Sequence, residues 1–485
     1  MTGASGFGGA WPWLLLAVYG LLLFLVAPGA REPGGFYEGK DRAGRPPRLG
    51  YLAGSIFIAW IFAKSVTNAA NLGATFGMPG AVAYATYWLS IPVAGVVIVA
   101  LRRRHGATSL AGWLTARYGQ SAAATFLLAI LIRLFNEVWS NSTVVGTYFA
   151  PKGTGAYYIG AWTFTALTLA YTLKGGLRTS IFTDALQAGV FGVFLALVLA
   201  LALPRATEGH LERVVTAGSW TLAGGVDLIL VALLQTLSYP FHDPVLTDRG
   251  FLADRRTTLT AYLIAGGLGA LAIALFGTIG VTAFLNGAAV RDDAPRVVAT
   301  AVGVGVLVLV NVVMLNSAAS AVDSAFSAIA KAATVDVPRL RGRPTHDIRA
   351  GRWAMVAGAV LGNLPLFAGA AILKATTISG TMVLGLAPIF LLGLWVDAPP
   401  MSFHLAFWTG ILLGTLDVLG LVPAAVAIGH GRYAVLLGVN AGGLMLATVL
   451  FYLPLGWGWL RGTRVQRVPQ ASPLAATPHD DRRRS

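Results

Sequence analysis

Cysteine is absent from the 485 residues. That excludes a disulfide framework, a thiolate metal site and a cysteine nucleophile. Charge is scarce as well: 11% of residues are charged and 56% are hydrophobic, where a soluble domain carries about 25% charged residues. This excludes a soluble enzyme, a disordered chain and a nucleic-acid-binding domain. A net charge of +15 would by itself suggest nucleic acid. The bases, however, sit between apolar runs rather than on one polar face, so no nucleic-acid partner is expected. The seven histidines are scattered, with no HExxH pair, and the glycine-rich stretches at Gly175-Gly176 and Gly266-Gly267 follow no strand. No catalytic residue, enzyme activity, metal centre or organic cofactor is expected.

Long apolar runs are abundant, and mean hydropathy is +0.70. A bilayer-crossing helix needs about 20 mostly apolar residues. Thirteen runs qualify, at roughly 11–28, 50–76, 80–101, 122–150, 155–173, 179–203, 222–246, 257–285, 299–334, 351–371, 375–396, 403–427 and 433–457. The expected fold class is an all-α polytopic membrane protein whose surroundings are the lipid bilayer. No Lys or Arg precedes the first run, so it reads as a retained span with its N-terminus outside rather than as a cleaved signal. Alternation then leaves the C-terminus in the cytoplasm. On this assignment the inside segments hold 25 Lys and Arg, Arg249 among them, and the outside segments hold 7, as the positive-inside rule requires. The expected location is the plasma (inner) membrane.

Two spans carry interruption signals. Span 2 contains Gly73, Gly77, Pro79 and Gly80, and span 7 contains Pro240 and Pro244. Each opens a block of five spans, and the two blocks start on opposite sides of the membrane. Broken helices at matching places of two inverted blocks point to a transport site at the midplane. The chain therefore divides into 1–49 (one span and a cytoplasmic loop), 50–203 and 204–396 (the two repeats), 397–460 (two further spans) and a tail at 461–485.

Several segments resemble one family. Thr108-Ser109-Leu110 with Trp113-Leu114 and Arg117-Tyr118-Gly119 is one. Lys174-Gly175-Gly176-Leu177-Arg178 followed by Thr183-Asp184-Ala185-Leu186-Gln187 is another. The rest are Ser320-Ala321-Val322-Asp323-Ser324 with Asp336, then Gly385-Leu386-Ala387-Pro388, and Gly77-Met78-Pro79-Gly80. In this order they resemble the sodium:solute symporter family, which has a leucine-transporter-like fold. The resemblance implies a secondary active transporter that moves a small polar solute by alternating access, coupled to Na+ or H+. A monomer is expected, although the sequence leaves the oligomeric state open. A transporter-like sensor that binds without carrying is the alternative.

The resemblance also implies an ion site. It joins backbone carbonyls of the first core helix, here near Thr67 and Ala70, to Ser320 and a carbonyl near Ser317 on the eighth. Asp184 is associated with the ion's exit path or pairs with Arg178. Ala321 stands where the family has a second hydroxyl, so one oxygen ligand for a hard cation is missing. Lys64 lies near mid-bilayer, three residues before Thr67, on the same helix face. Intramembrane lysines are functional by default, and this ammonium is a candidate substitute for the ion. Asp323 is placed to attract cations or to pair with Lys64 or Lys331. Arg133 and Glu137, four apart, are expected to pair. His242 either relays protons or is a satisfied helix-end residue. Asp248-Arg249 reads as an inner-surface contact. Solute contacts are expected from Asn68, Asn71, Gly73, Ala74, Tyr239 and Thr377.

Overall fold

The computed structural model describes residues 10–290, 293–367 and 380–460. The regular structure among these residues is all helical, and no strand occurs among them. In chain order the helices are α1 Trp11–Val26, α2 Pro33–Glu38, α3 Leu49–Ala59, α4 Ala63–Phe76, α5 Met78–Ala85, α6 Ser90–His105, α7 Leu110–Gly146, α8 Gly155–Gly175 and α9 Leu177–Ala206. They continue with α10 Glu212–Thr216, α11 Asp227–Thr236, α12 Pro244–Thr247, α13 Arg255–Leu285, α14 Ala294–Val302, α15 Val304–Lys331, α16 Val337–Leu340 and α17 Ile348–Asn363. The last two are α18 Pro400–Val418 and α19 Ala434–Leu460.

Among the described residues seven helices are long and apolar enough to cross a membrane, and the bent pair α3–α4 makes eight. Leu222–Thr236 and α1 are shorter apolar helices. The span expected at 155–173 coincides with α8, and α17 covers the first part of the one expected at 351–371; the end of that span and the first residues of the next, 368–379, lie outside the described residues. Large apolar side chains point outwards along the bundle, among them Leu14 and Leu25 on α1, Val193 on α9, Leu271 on α13 and Val449 on α19, all exposed. A contiguous exterior of this kind is stable against lipid and not against water.

Both expected interruptions exist, but the first is misplaced by the glycine signal. Span 2 bends by 59° between α3 and α4, at Trp60–Phe62, where Phe62 is extended. No Gly or Pro occurs there. The break is held from outside its own helix: Asn141 on α7 accepts from Ala63 N at 3.0 Å, which satisfies one of the orphan donors at the start of α4. Gly77, in the left-handed region at φ 73°, instead ends α4 and opens α5. Gly73 and Gly280 serve packing. A Cβ at Gly73 would meet Gly277 O, and one at Gly280 would meet Ala70 O, so α4 and α13 touch backbone to backbone. Span 7 breaks where its prolines stand. α11 ends at Thr236, a tight turn runs Tyr239–His242, and α12 restarts at Pro244, with Asp243 capping Val245 N at 3.0 Å.

One end of the bundle is rich in arginine. There the Arg102 guanidinium binds Gly250 O and Ala253 O, both at 2.8 Å. A cavity of about 320 Å³ opens at this end, lined by residues including Tyr37, Ser109, Asp248, Lys331 and Arg339. Lys331 there pairs with Asp248 at 2.6 Å and with Asp336 at 3.3 Å.

Candidate functional site

The two breaks face each other. Trp60 Nε1, at the first, donates to Asp243 Oδ2, at the second, over 2.9 Å. Beside this contact lies a small cavity of about 20 Å³, lined by Trp60, Phe62, Ser65, Tyr84, Tyr87, Trp88 and Tyr239. It holds about one water molecule, so the aromatic rings are closed on one another. Asn68 borders it through Tyr84, donating to the phenol oxygen at 3.2 Å. The hydroxyl of Tyr87 donates to Gln235.

Next to this aromatic box sits a buried ionic cluster. Lys64 Nζ reaches Glu137 Oε1 at 2.9 Å and Asn136 Oδ1 at 3.2 Å. Arg133 also pairs with Glu137, and its Nη2 lies 3.2 Å from Asp243 Oδ2. Both cations lie near the Phe62 ring, at 5.1 and 5.3 Å from its centroid, a separation at which cation–π attraction operates. Two cations and two carboxylates balance to zero. His242 is buried alongside, with Nδ1 2.5 Å from Tyr239 O and Nε2 without a partner among the described residues.

A second buried cluster joins α3, α9, α15 and the segment after α12. Arg249 is only 1% exposed, so it is not the surface contact expected of it. Its Nε donates to Ser55 at 2.8 Å and its Nη1 to Val245 O at 2.5 Å. Its Nη2 reaches Ser324 at 2.8 Å, Asp184 Oδ2 at 2.9 Å and Ser180 at 3.3 Å. Asp184 thus pairs with Arg249, not with Arg178, and also accepts from Ser55 at 2.6 Å and from Ser320. Asp323 pairs with neither Lys64 nor Lys331. It is ringed by hydroxyls: Tyr171 at 2.9 Å, Thr183 at 3.1 Å, Ser180 at 2.8 Å and Ser324 at 3.3 Å.

The ion-site residues implied by the resemblance are only partly assembled. Ser320 and Asp184 meet. Thr67 and Ala70 lie inside α4, beyond the break, where backbone carbonyls are committed to the helical ladder. The Thr67 hydroxyl donates to Ala63 O, and that of Ser317 to Val313 O. Lys64 is paired with Glu137 and is not in contact with Ser320. Of the solute candidates, Tyr239 lines the aromatic box and Asn68 borders it. Asn71 is spent capping α14, accepting from Ala294 N at 2.8 Å. Gly73 packs on α13, Ala74 packs against the apolar core, and Thr377 lies outside the described residues. Trp60, Ser55, the hold of Asn141 on the first break and the buried role of Arg249 were not expected. Asp248-Arg249 close behind the Pro240 and Pro244 break was the signal for the last.

No protein-family model matches the sequence, and no curated protein matches it. Solved structures do. A Na+-coupled sialic acid symporter in a substrate-bound, outward-open state superposes with a TM-score of 0.68 at 15% identity, over 92% of this chain and 98% of that one. Mhp1, a nucleobase-cation-symport-1 family transporter, matches in a closed conformation with bromovinylhydantoin bound, with a TM-score of 0.57 at 17% identity over 92% and 96% of the two chains. Its inward-facing form gives 0.52 at 14%, over 87% and 94%. Identities this low speak to architecture, and the architecture is the leucine-transporter-like fold of these transporters.

Proposed function

We propose that the protein is a secondary active transporter that moves a small polar solute across the membrane by alternating access, coupled to a cation. The observation that carries this reading is the pair of facing helix breaks with an aromatic box closed between them. A broken helix exposes backbone groups only where they line a cavity or find protein partners. Two such breaks meeting between helices form a site that either side of the membrane can reach in turn. Trp60 and Tyr239 supply ring faces to a solute, while Ser65, Asn68 and Gln235 supply hydrogen bonds. The solved transporters of this fold, in outward-open, closed and inward-facing states, support the same cycle. On this reading the chain is not an enzyme, acts as a monomer, and sits in the plasma membrane with its arginine-rich end in the cytoplasm. The two blocks 50–203 and 204–396 form its inverted repeats.

The test starts from purified protein melted against a panel of amino acids, carboxylates, sugars and nucleobases. The best stabiliser is then followed as radiolabelled counterflow into proteoliposomes. Counterflow of that solute, lost in Trp60→Ala, is the expected result. Binding without counterflow assigns the protein to the sensor class. A panel without any stabiliser, joined to no counterflow, removes the transport reading.

A further inference from the structure

The two buried clusters differ in their charge count. Lys64 and Arg133 against Glu137 and Asp243 leave no surplus. Asp184, Asp323 and Arg249 leave one negative charge. Among the described residues no base lies within ion-pair distance of Asp323, which is 0% exposed. An unpaired carboxylate in such a place is strongly disfavoured, so the cluster requires one further positive charge.

The groups facing Asp323 are few. From α9 come Asp184, Ser180 and Thr183, and from α8 Tyr171. Arg249 faces it from the segment after α12, and α3 contributes only the Ser55 hydroxyl beside that guanidinium. Tyr19 of α1 is engaged with Asn316 and Gln187. Lys64 on α4 and Arg133 on α7 spend their charge on Glu137 and Asp243. Lys331, on the same helix as Asp323, is held by Asp248 and Asp336.

A metal ion finds poor footing here. The oxygens that would ligate it, on Ser180, Ser324 and Asp184, already converge on Arg249 Nη2. A hard cation wants about six oxygens and is repelled by a guanidinium at contact distance. Ala321 brings no hydroxyl, and the carbonyls of Thr67 and Ala70 are tied up in α4. A proton needs none of these ligands.

We infer that Asp323 is the carboxyl that binds and releases the coupling ion, and that this ion is a proton. The inference rests on the transport reading above. The only bond made and broken is O–H on an Asp323 oxygen: the proton arrives from one side of the membrane and leaves to the other, and no electron moves. Ser180 conveys the event. Its single hydroxyl hydrogen lies within reach of Asp323 Oδ1 at 2.8 Å and of Asp184 Oδ2 at 3.3 Å. When Asp323 carries a proton it no longer competes for that hydrogen, which turns to Asp184 and changes the hold on Arg249. Asp248, the residue before Arg249, lines the 320 Å³ cavity, which offers a route for release.

The test uses the full chain in nanodiscs. Infrared difference spectra between acid and alkaline buffer record the carbonyl stretch of a protonated carboxyl. The expected band is present in the wild type, shifted in Asp323→Glu and lost in Asp323→Asn. Melting temperature is expected to be the same in sodium chloride and choline chloride. A band that survives in Asp323→Asn overturns the assignment, as does a wild-type spectrum with no pH-dependent carboxyl band. A sodium-specific rise in melting temperature that Asp323→Asn abolishes replaces the proton by sodium. Because the wild-type measurements stand alone, a variant that does not fold leaves the assignment open to refutation. Solute counterflow judges the transport reading separately: exchange combined with the sodium result keeps the carrier and discards the proton, whereas no exchange discards the carrier whatever the spectrum.

Discussion

The neutral quartet at the facing breaks and the acidic cluster around Arg249 are built from the same residue types, at similar burial, yet they solve different problems. At the breaks, each carboxylate meets two donors that carry charge or ring N–H, so the quartet can stay dry and still. Around Arg249, hydroxyls outnumber charges, and one carboxylate is solvated by alcohols alone. Hydroxyls can reverse their hydrogen at little cost, whereas ammonium and guanidinium groups cannot. The first arrangement suits a lock and the second suits a site that changes occupancy.

The largest effect is expected of Glu137→Gln, which leaves the charges of Lys64 and Arg133 with only Asp243, paired to Arg133, to offset them. Breaking a buried pair costs about 3–5 kcal/mol, and a matching fall in thermal or denaturant stability in detergent is expected. The double variant Lys64→Met/Glu137→Gln restores the charge count and should recover most of that loss. A double variant as unstable as the single would show that net charge is not what holds the quartet together.

Arg249→Gln sharpens the other half. Asp184 and Asp323 then face each other with no resident cation, at a cost near the lower end of the same range, about 3 kcal/mol. The emptied oxygen cage should now accept sodium. Melting in sodium chloride is expected to exceed melting in choline chloride, a difference absent in the wild type. If both salts give the same value in the variant, the cage is not shaped by Arg249's charge.

Asp254 supplies the baseline in water. It caps α13 through Thr257 N and Arg256 N, both at 3.0 Å, and the hydrogen bonds to Thr257 and Arg256 hold its carboxyl below the ordinary value. Because the folded form binds the proton less readily, this cap contributes fully above the unfolded carboxylate range near pH 4. Its contribution fades as pH falls through the lowered value. Asp254→Ala should cost about 1 kcal/mol at neutral pH, with the gap to wild type narrowing below pH 4 in a pH series of melts.

Much of the architecture was legible because lipid imposes it. Apolar length gives the helices, and Pro240 and Pro244 mark the second break correctly. The first break was read in the wrong place. A glycine-rich stretch normally advertises a flexible backbone, but Gly73 and Gly77 serve a close helix approach and a turn. The true interruption at Trp60–Phe62 is imposed by Asn141 and Asp243, which lie 78 and 183 residues from the atoms they bind. No local pattern encodes a partner at that separation. The same limit applies to Arg249, whose basicity counts as a loop marker in any tally of inside charges, although the fold draws it into the bundle. The pairing of Arg133 with Glu137 was readable because four residues on a helix fix the geometry by themselves.

The backbone contact between α4 and α13 has a mechanical corollary. With Gly73 against Gly277 and Gly280 against Ala70, neither rod can slide or roll without collision, so they travel as one stiff member. Strain arising at either end is then delivered to the short uncoiled stretch at Trp60–Phe62, whose indole is the clasp on Asp243. A side chain as small as alanine's methyl at Gly280 would pry the two rods apart and leave that hinge without a lever.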